Sequence, residues 1–191
     1  MALRHLTLQQ KKGFTMAEKK LFDNLYKVIK GNSGEISAND GVFTEIFDLQ
    51  IPRGYCARIR RVIFDLQVNA DQANQEWFRV LGALVLDPDD ETTTQIPTFT
   101  VDHDVLCDTV FEKHRQDEDT TPNGISALFT PRDVHDFSEE IDVVTVRNVR
   151  FNIIATGLAT GGDNNSQMRC TVYFTYEKIS ADLYSKLLGI S

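Results

Sequence analysis

The side chains able to do chemistry are few, and their spacing does not suit it. The histidines are His5, His103, His114 and His135. In "VDHDV" Asp102 and Asp104 flank His103, and "EKH" sets Glu112 two residues before His114. One family of small β-barrels holds a metal on such ligands, and its pattern is two histidines one residue apart, then a glutamate and a distant third histidine. No HxH occurs here, so these residues read as polar strand ends and no metal ligand is expected. Patterns of the GxSxG, HExxH, Walker and GxGxxG kind are missing as well, which removes the usual nucleophilic, zinc-hydrolytic and nucleotide mechanisms. Cys56, Cys107 and Cys170 are odd in number and widely spaced; they read as buried thiols in strands. The acidic stretches 87–91 and 115–121 lack the spacing of an EF-hand loop and read as solvated turns. The sequon at Asn164 reads as a chance match. The expectation is a protein that is not an enzyme, with no catalytic residue, cofactor or small-molecule substrate.

The remaining chemical signal is charge. In "PRGYCARIRRVIFDLQV" (52–68), Arg58, Arg60 and Arg61 stand at the head of an obvious strand. Ala57 and Ile59 have odd parity, whereas Val62, Phe64, Leu66 and Val68 have even parity. A regular strand cannot bury both sets, because side chains alternate strictly between its faces. One extra residue near Arg60-Arg61, a β-bulge, restores a common face and turns the arginines outward. They are then candidates for a surface or subunit contact, with a nucleic-acid patch as the rival reading.

A second concentration of charge opens the chain. Residues 1–30 hold seven cations against two carboxylates, net +5, while the rest carries 13 against 26, net −13. Such asymmetry points to an anionic partner for the basic segment. Its candidate contact residues are Lys11, Lys12, Lys19, Lys20, Lys27 and Lys30. Thr15 and Glu18 form a capping box, and Leu21, Leu25, Val28 and Ile29 share one helical face. A helix is expected at about 16–30, with Gly31 as its stop. So short a helix is marginal alone and needs something to dock on.

From Val42 to Lys178 the texture is β. Phe43, Phe47, Leu49 and Ile51 share a face; "EWFRVLGALVLD" (76–87) is apolar on both faces, as in a central strand. Strands are also expected across 104–114, 125–131, the long 140–157 and 167–178. In the last of these Met168, Cys170, Val172, Phe174 and Tyr176 face inward. With no helix between the strands, the arrangement expected is an antiparallel sandwich. Ser180 caps a short final helix at about 181–188. The division expected is a basic arm with its helix, 1–40, and a β-sandwich body, 41–191. The chain has 191 residues, 41% hydrophobic and 25% charged, ordinary for a globular domain, and no apolar run long enough to cross a bilayer. The N-terminus lacks an apolar signal core, so folding in a cytosol is expected.

A basic arm, a Pro-Gly turn into an arginine-bearing strand, the apolar "WFRVLGALVLDPDD" and the closing "TVYFTYEKIS" together resemble the single jelly-roll capsid proteins of small icosahedral or tailless membrane-containing viruses. The resemblance implies an all-β, eight-stranded antiparallel jelly roll and a structural coat subunit. Copies would self-assemble, alone or with other capsid proteins, into an icosahedral virion shell in the host cytoplasm. The arm would face inward, toward the genome nucleic acid, an internal membrane or neighbouring subunits. Six lysines on single-stranded phosphates would give a salt slope of about −4; at an anionic membrane each would contribute about 1 kcal/mol. The alternatives are a carbohydrate- or receptor-binding β-sandwich and, less favoured, a cupin-like metalloprotein.

Overall fold

Alternating apolar residues of period two become several of the described strands, β3 and β9 above all. The computed structural model describes residues 25–36, 42–67, 77–86, 105–114, 131–137, 143–157 and 166–188. Nine strands occur among them: β1 (Lys27–Asn32), β2 (Val42–Phe47), β3 (Tyr55–Gln67), β4 (Trp77–Leu86), β5 (Val105–His114), β6 (Arg132–Asp136), β7 (Val144–Thr145), β8 (Val149–Thr156) and β9 (Gln167–Lys178). One short helix, α1 (Ala181–Leu187), follows. Two antiparallel sheets form. Sheet A has the order β1-β9-β3-β6, with β7 also pairing β3; sheet B has the order β2-β8-β4-β5. The pairs nest: β1 with β9, β2 with β8, β3 with β6 and β7, β4 with β5. No helix among the described residues is long and apolar enough to cross a membrane.

The core lies between the sheets. Sheet A contributes Ala57, Ile59, Val62, Phe64 and Leu66 from β3, and Met168, Cys170, Val172, Phe174 and Tyr176 from β9. Sheet B contributes Phe47, Phe78, Val80, Leu84, Val149, Phe151, Ile153 and Ala155. Phe151 sits at the centre, with ring centroids 6.0 Å from Phe47, 6.1 Å from Phe64 and 6.2 Å from Phe43. Its contact with Phe64 joins the two layers. On β4, Ala83 and Val85 are as buried as Phe78 and Val80, as its two-faced apolar sequence requires.

The bulge lies where parity demands it. Ile59 pairs with Phe174 and Arg61 with Tyr173, so Arg60 is the residue without a partner on β9. Its carbonyl accepts instead from the Phe137 amide at 3.0 Å, while the Ile59 amide donates to the Val143 carbonyl at 2.9 Å. The neighbour on the far side changes at the same point, from β7 at 57–58 to β6 at 61–65.

Two expectations are corrected, and a third feature is a strand that the sequence did not announce. The end of the proposed helix is strand β1, which runs along β9 from Lys27↔Phe174 to Asn32↔Arg169. Pairing with a buried strand outweighs the weak propensity of a short helix, and Val28 and Ile29 are β-branched. Gly31 is therefore no helix stop. A Cβ there would come within 2.2 Å of Glu45 Oε2 and 2.3 Å of the Phe47 ring, so glycine lets the sheets approach closely. Sheet A thus includes residues 27–32, which lie before residue 41. Second, the expected strand at 140–157 is two. Thr145 Oγ1 accepts from the Arg147 amide at 2.9 Å, and Asn148 Oδ1 takes the Leu49 amide at 3.0 Å. These local bonds break the ladder, and the chain passes from sheet A to sheet B. Third, β6, "RDVHD", carries no apolar alternation in sequence; its inward positions, from the pairs Val62↔His135 and Phe64↔Asp133, hold a histidine and an aspartate. Thr15, Glu18 and residues 125–130 lie outside the described residues.

The chain makes a sharp deletion test possible. Without Arg60 the alternation runs unbroken from Ala57 to Leu66, so that variant should fold, with a lower Tm from the lost contacts. Without Ile63, Phe64 and Leu66 turn outward, and cooperative unfolding by circular dichroism should vanish. The opposite pattern would contradict the register. The buried thiols give a second test. Burial pushes Cys107 up to about 12 and Cys170 well above its ordinary value; for Cys56, burial and then Glu177 raise it. The folded chain holds protons that the unfolded chain loses from about pH 8.5, so stability should fall as pH rises from there toward 12. All three thiols should stay silent to a thiol reagent at pH 8 until the chain unfolds.

Candidate functional site

The bulge sends Arg58, Arg60 and Arg61 to the outer face of sheet A, away from sheet B. Glu177 of β9 receives the first two: Arg58 Nη2 lies 2.7 Å from Oε2 and Arg60 Nη2 3.2 Å from Oε1. One carboxylate thus holds two half-buried guanidiniums in a fork. Arg61 grips Asp136 of β6 with Nε and Nη2, the latter at 3.0 Å. That hydrogen bond, then the charge of Asp136, raises Arg61 above its ordinary value.

The register makes this face an ordered array. From β1 through β9 and β3 to β6, three rows read Val28–Tyr173–Arg61–Asp136, Lys30–Thr171–Ile63–Val134 and Asn32–Arg169–Asp65–Arg132. Adjacent strands lie about 4.8 Å apart, so each row places its side chains side by side. With the fork included, the face carries Lys30, Arg58, Arg60, Arg61, Arg132 and Arg169 against Asp65, Asp136 and Glu177. It is cationic on a chain of net charge −8. Arg132 Nε bonds Asp65 Oδ1. Lys30 and Arg169 have no carboxylate partner among the described residues.

At one end of the array lies a hollow of about 450 Å³, lined by Asp65, Leu66, Gln67, Pro131, Arg132, Gln167 and Arg169. An amide relay leads to it. The Gly34 amide donates to Asn32 Oδ1 at 3.0 Å, Asn32 Nδ2 to Gln167 Oε1 at 3.0 Å, and Gln167 Nε2 to Gln67 Oε1 at 2.7 Å.

The structure separates the lysines grouped in the sequence. Lys27 and Lys30 fall on opposite faces of β1: Lys30 is exposed on the outer face, while Lys27 Nζ lies 5.9 Å from the Tyr176 ring centroid. Lys11, Lys12, Lys19 and Lys20 lie outside the described residues, as do His5, Asp102, His103 and Asp104. His135 Nε2 pairs with Asp133 Oδ2 at 3.0 Å, and its ring stands edge-on to Phe64. Among the described residues no three His, Cys, Asp or Glu side chains converge as a metal site. Sequence reasoning did not single out Arg132, Arg169, Asp65, Gln67, Gln167 or Asn32. The alternation of β9 marks Gln167 and Arg169 as outward, but only strand pairing brings them beside Arg132 and Gln67.

Replacing Glu177 with Gln should cost about 1–3 kcal/mol, because it removes the charged acceptor that two half-buried guanidiniums share. Asp136→Asn breaks a pair whose side chains are 49% and 60% exposed, so solvent should compensate and the midpoint in urea should hardly move. Equal effects of the two changes would contradict the fork. No protein-family model matches the chain, and a search of curated proteins returns no match.

Proposed function

We propose that the chain is a structural coat subunit with a jelly-roll body, and that copies assemble laterally into a closed icosahedral shell in the host cytoplasm. The observation that carries this reading is the nesting of strand pairs. A long antiparallel ribbon, β1–β4 against β5–β9, wrapped so that its successive pairs alternate between two sheets, gives the orders β1-β9-β3-β6 and β2-β8-β4-β5. Strand orders of that kind are what a jelly-roll wrapping would give, and they support the reading.

Assembly is supported by what the edges expose. Besides the two-residue β7, the edge strands of the described sheets are β1, β6, β2 and β5. Each presents one large apolar side chain to solvent: Val28 at 47%, Val134 at 44%, Ile46 at 54% and Val110 at 46%. Edge strands are normally blunted by charge, since an apolar edge invites another chain. Copies of this chain are the partners proposed for these edges, with other capsid proteins as further neighbours. The basic arm faces the enclosed nucleic acid or membrane. A carbohydrate-binding sandwich would need an aromatic platform in its groove, and none of the described residues lining the hollow is aromatic.

Sedimentation velocity of the full chain should show a species far larger than the 21.6 kDa monomer, and negative-stain images should show rings or closed particles. Val110→Asp with Val134→Lys should shift the boundary toward monomer and leave Tm nearly unchanged. Removing residues 1–24 should spare both sheets and impair correct particles. A wild-type chain that stays monomeric at high concentration would sink the proposal.

A further inference from the structure

We propose that the hollow at the end of sheet A's outer face is a phosphate-binding site for single-stranded nucleic acid, separate from the basic arm. Its hydrogen-bonding polarity is fixed by a backbone group. The Gly34 amide can only donate, so Asn32 must turn its oxygen toward it. Asn32 then donates to Gln167, and Gln167 to Gln67. The relay ends with the Gln67 amide nitrogen as a spare donor beside the hollow. Arg132 spends Nε on Asp65, which leaves its two terminal nitrogens without a partner among the described residues. Arg169 contributes its whole guanidinium. The one carboxylate in the lining is already engaged by Arg132, so the site offers donors and positive charge, which an anionic oxygen satisfies.

Phosphate on a polymer is favoured by what continues from the hollow. Lys30 sits one row along the same face, and beyond it Arg61 adjoins Tyr173. Tyr26, 62% exposed, stands immediately before β1. Cations and aromatic rings in file on one sheet face suit a strand that lays phosphates on the former and stacks bases on the latter. The inference deepens the coat reading, since it names the sheet face that would meet an enclosed genome. It is measured by binding and not by assembly, so the two fail separately.

The test is fluorescence anisotropy of a labelled oligothymidylate titrated with the full-length chain over a range of salt. Lys30→Gln with Arg169→Gln should weaken binding and make the salt slope shallower by about 0.7 for each cation removed. Gln67→Leu should weaken binding with the slope unchanged, because it removes a donor and no charge. Neither variant breaks an ion pair among the described residues, so circular dichroism should report a native fold for both. An unchanged slope in the double variant would overturn the site. So would loss of all binding on Lys11→Gln, Lys12→Gln, Lys19→Gln and Lys20→Gln together, which would put the contact in the arm alone. Capture by phosphatidylserine vesicles with no binding of the oligonucleotide would overturn it in favour of lipid. Particles that form normally from a double variant binding like the wild type would sink the hollow and leave the coat reading standing.

Discussion

Strict alternation of side chains along a strand is the constraint on which this molecule turns, and β3 is where it is nearly violated. Ile59 and Val62 are three residues apart and would face opposite ways in a regular ladder, yet both are fully buried. The extra residue, Arg60, reconciles them. Because β3 runs along β9 for its whole length and meets β7 and then β6 on its other side, an error of one residue here would misplace four strands at once. The same bulge sets the surface. In a regular strand Arg61 would point into the core; with the bulge, Arg58, Arg60 and Arg61 all lie outside, where Glu177 and Asp136 hold them. Core and charged face are thus consequences of one local irregularity, as is common where a strand must both bury and present side chains.

Much of this was legible in the residues. The parity change located the bulge to within a residue, and the clean alternation of β9 marked its five inward side chains. The two-faced apolar run of β4 marked a central strand, and Ser180 does cap the last helix through a bond from the Leu183 amide. What failed did so for physical reasons. Residues 27–30 have a helical pattern of apolar residues, but β9 offers that segment a ladder of backbone hydrogen bonds that a short helix cannot match. "RDVHD" is strand only because β3 lies beside it. The break at residues 146–148 depends on side-chain-to-backbone bonds, one of them reaching Leu49, far away in sequence. The hollow was invisible for the same reason: its residues come from three strands and the residue before one of them, and no local pattern announces that they meet.

The distribution of charge differs between the two sheets. On the outer face of sheet B, Arg79 stands opposite Glu112, and Ile154, Leu81 and Val110 form an apolar row. On sheet A the arginines outnumber their acids, and the spare donors collect at one end. Salt bridges on this face fix the geometry of the guanidiniums more than they add stability, since most are partly exposed. A face of that kind suits recognition of an extended anion, while the apolar edges suit contact between copies.

Hydroxyl-radical footprinting of the full-length chain, with and without a single-stranded oligonucleotide, reads both faces in one measurement. The account predicts protection of Tyr26 and Tyr173 on sheet A, with Ile46 and Val110 on sheet B unchanged. Protection confined to sheet B, or to neither face, would contradict it.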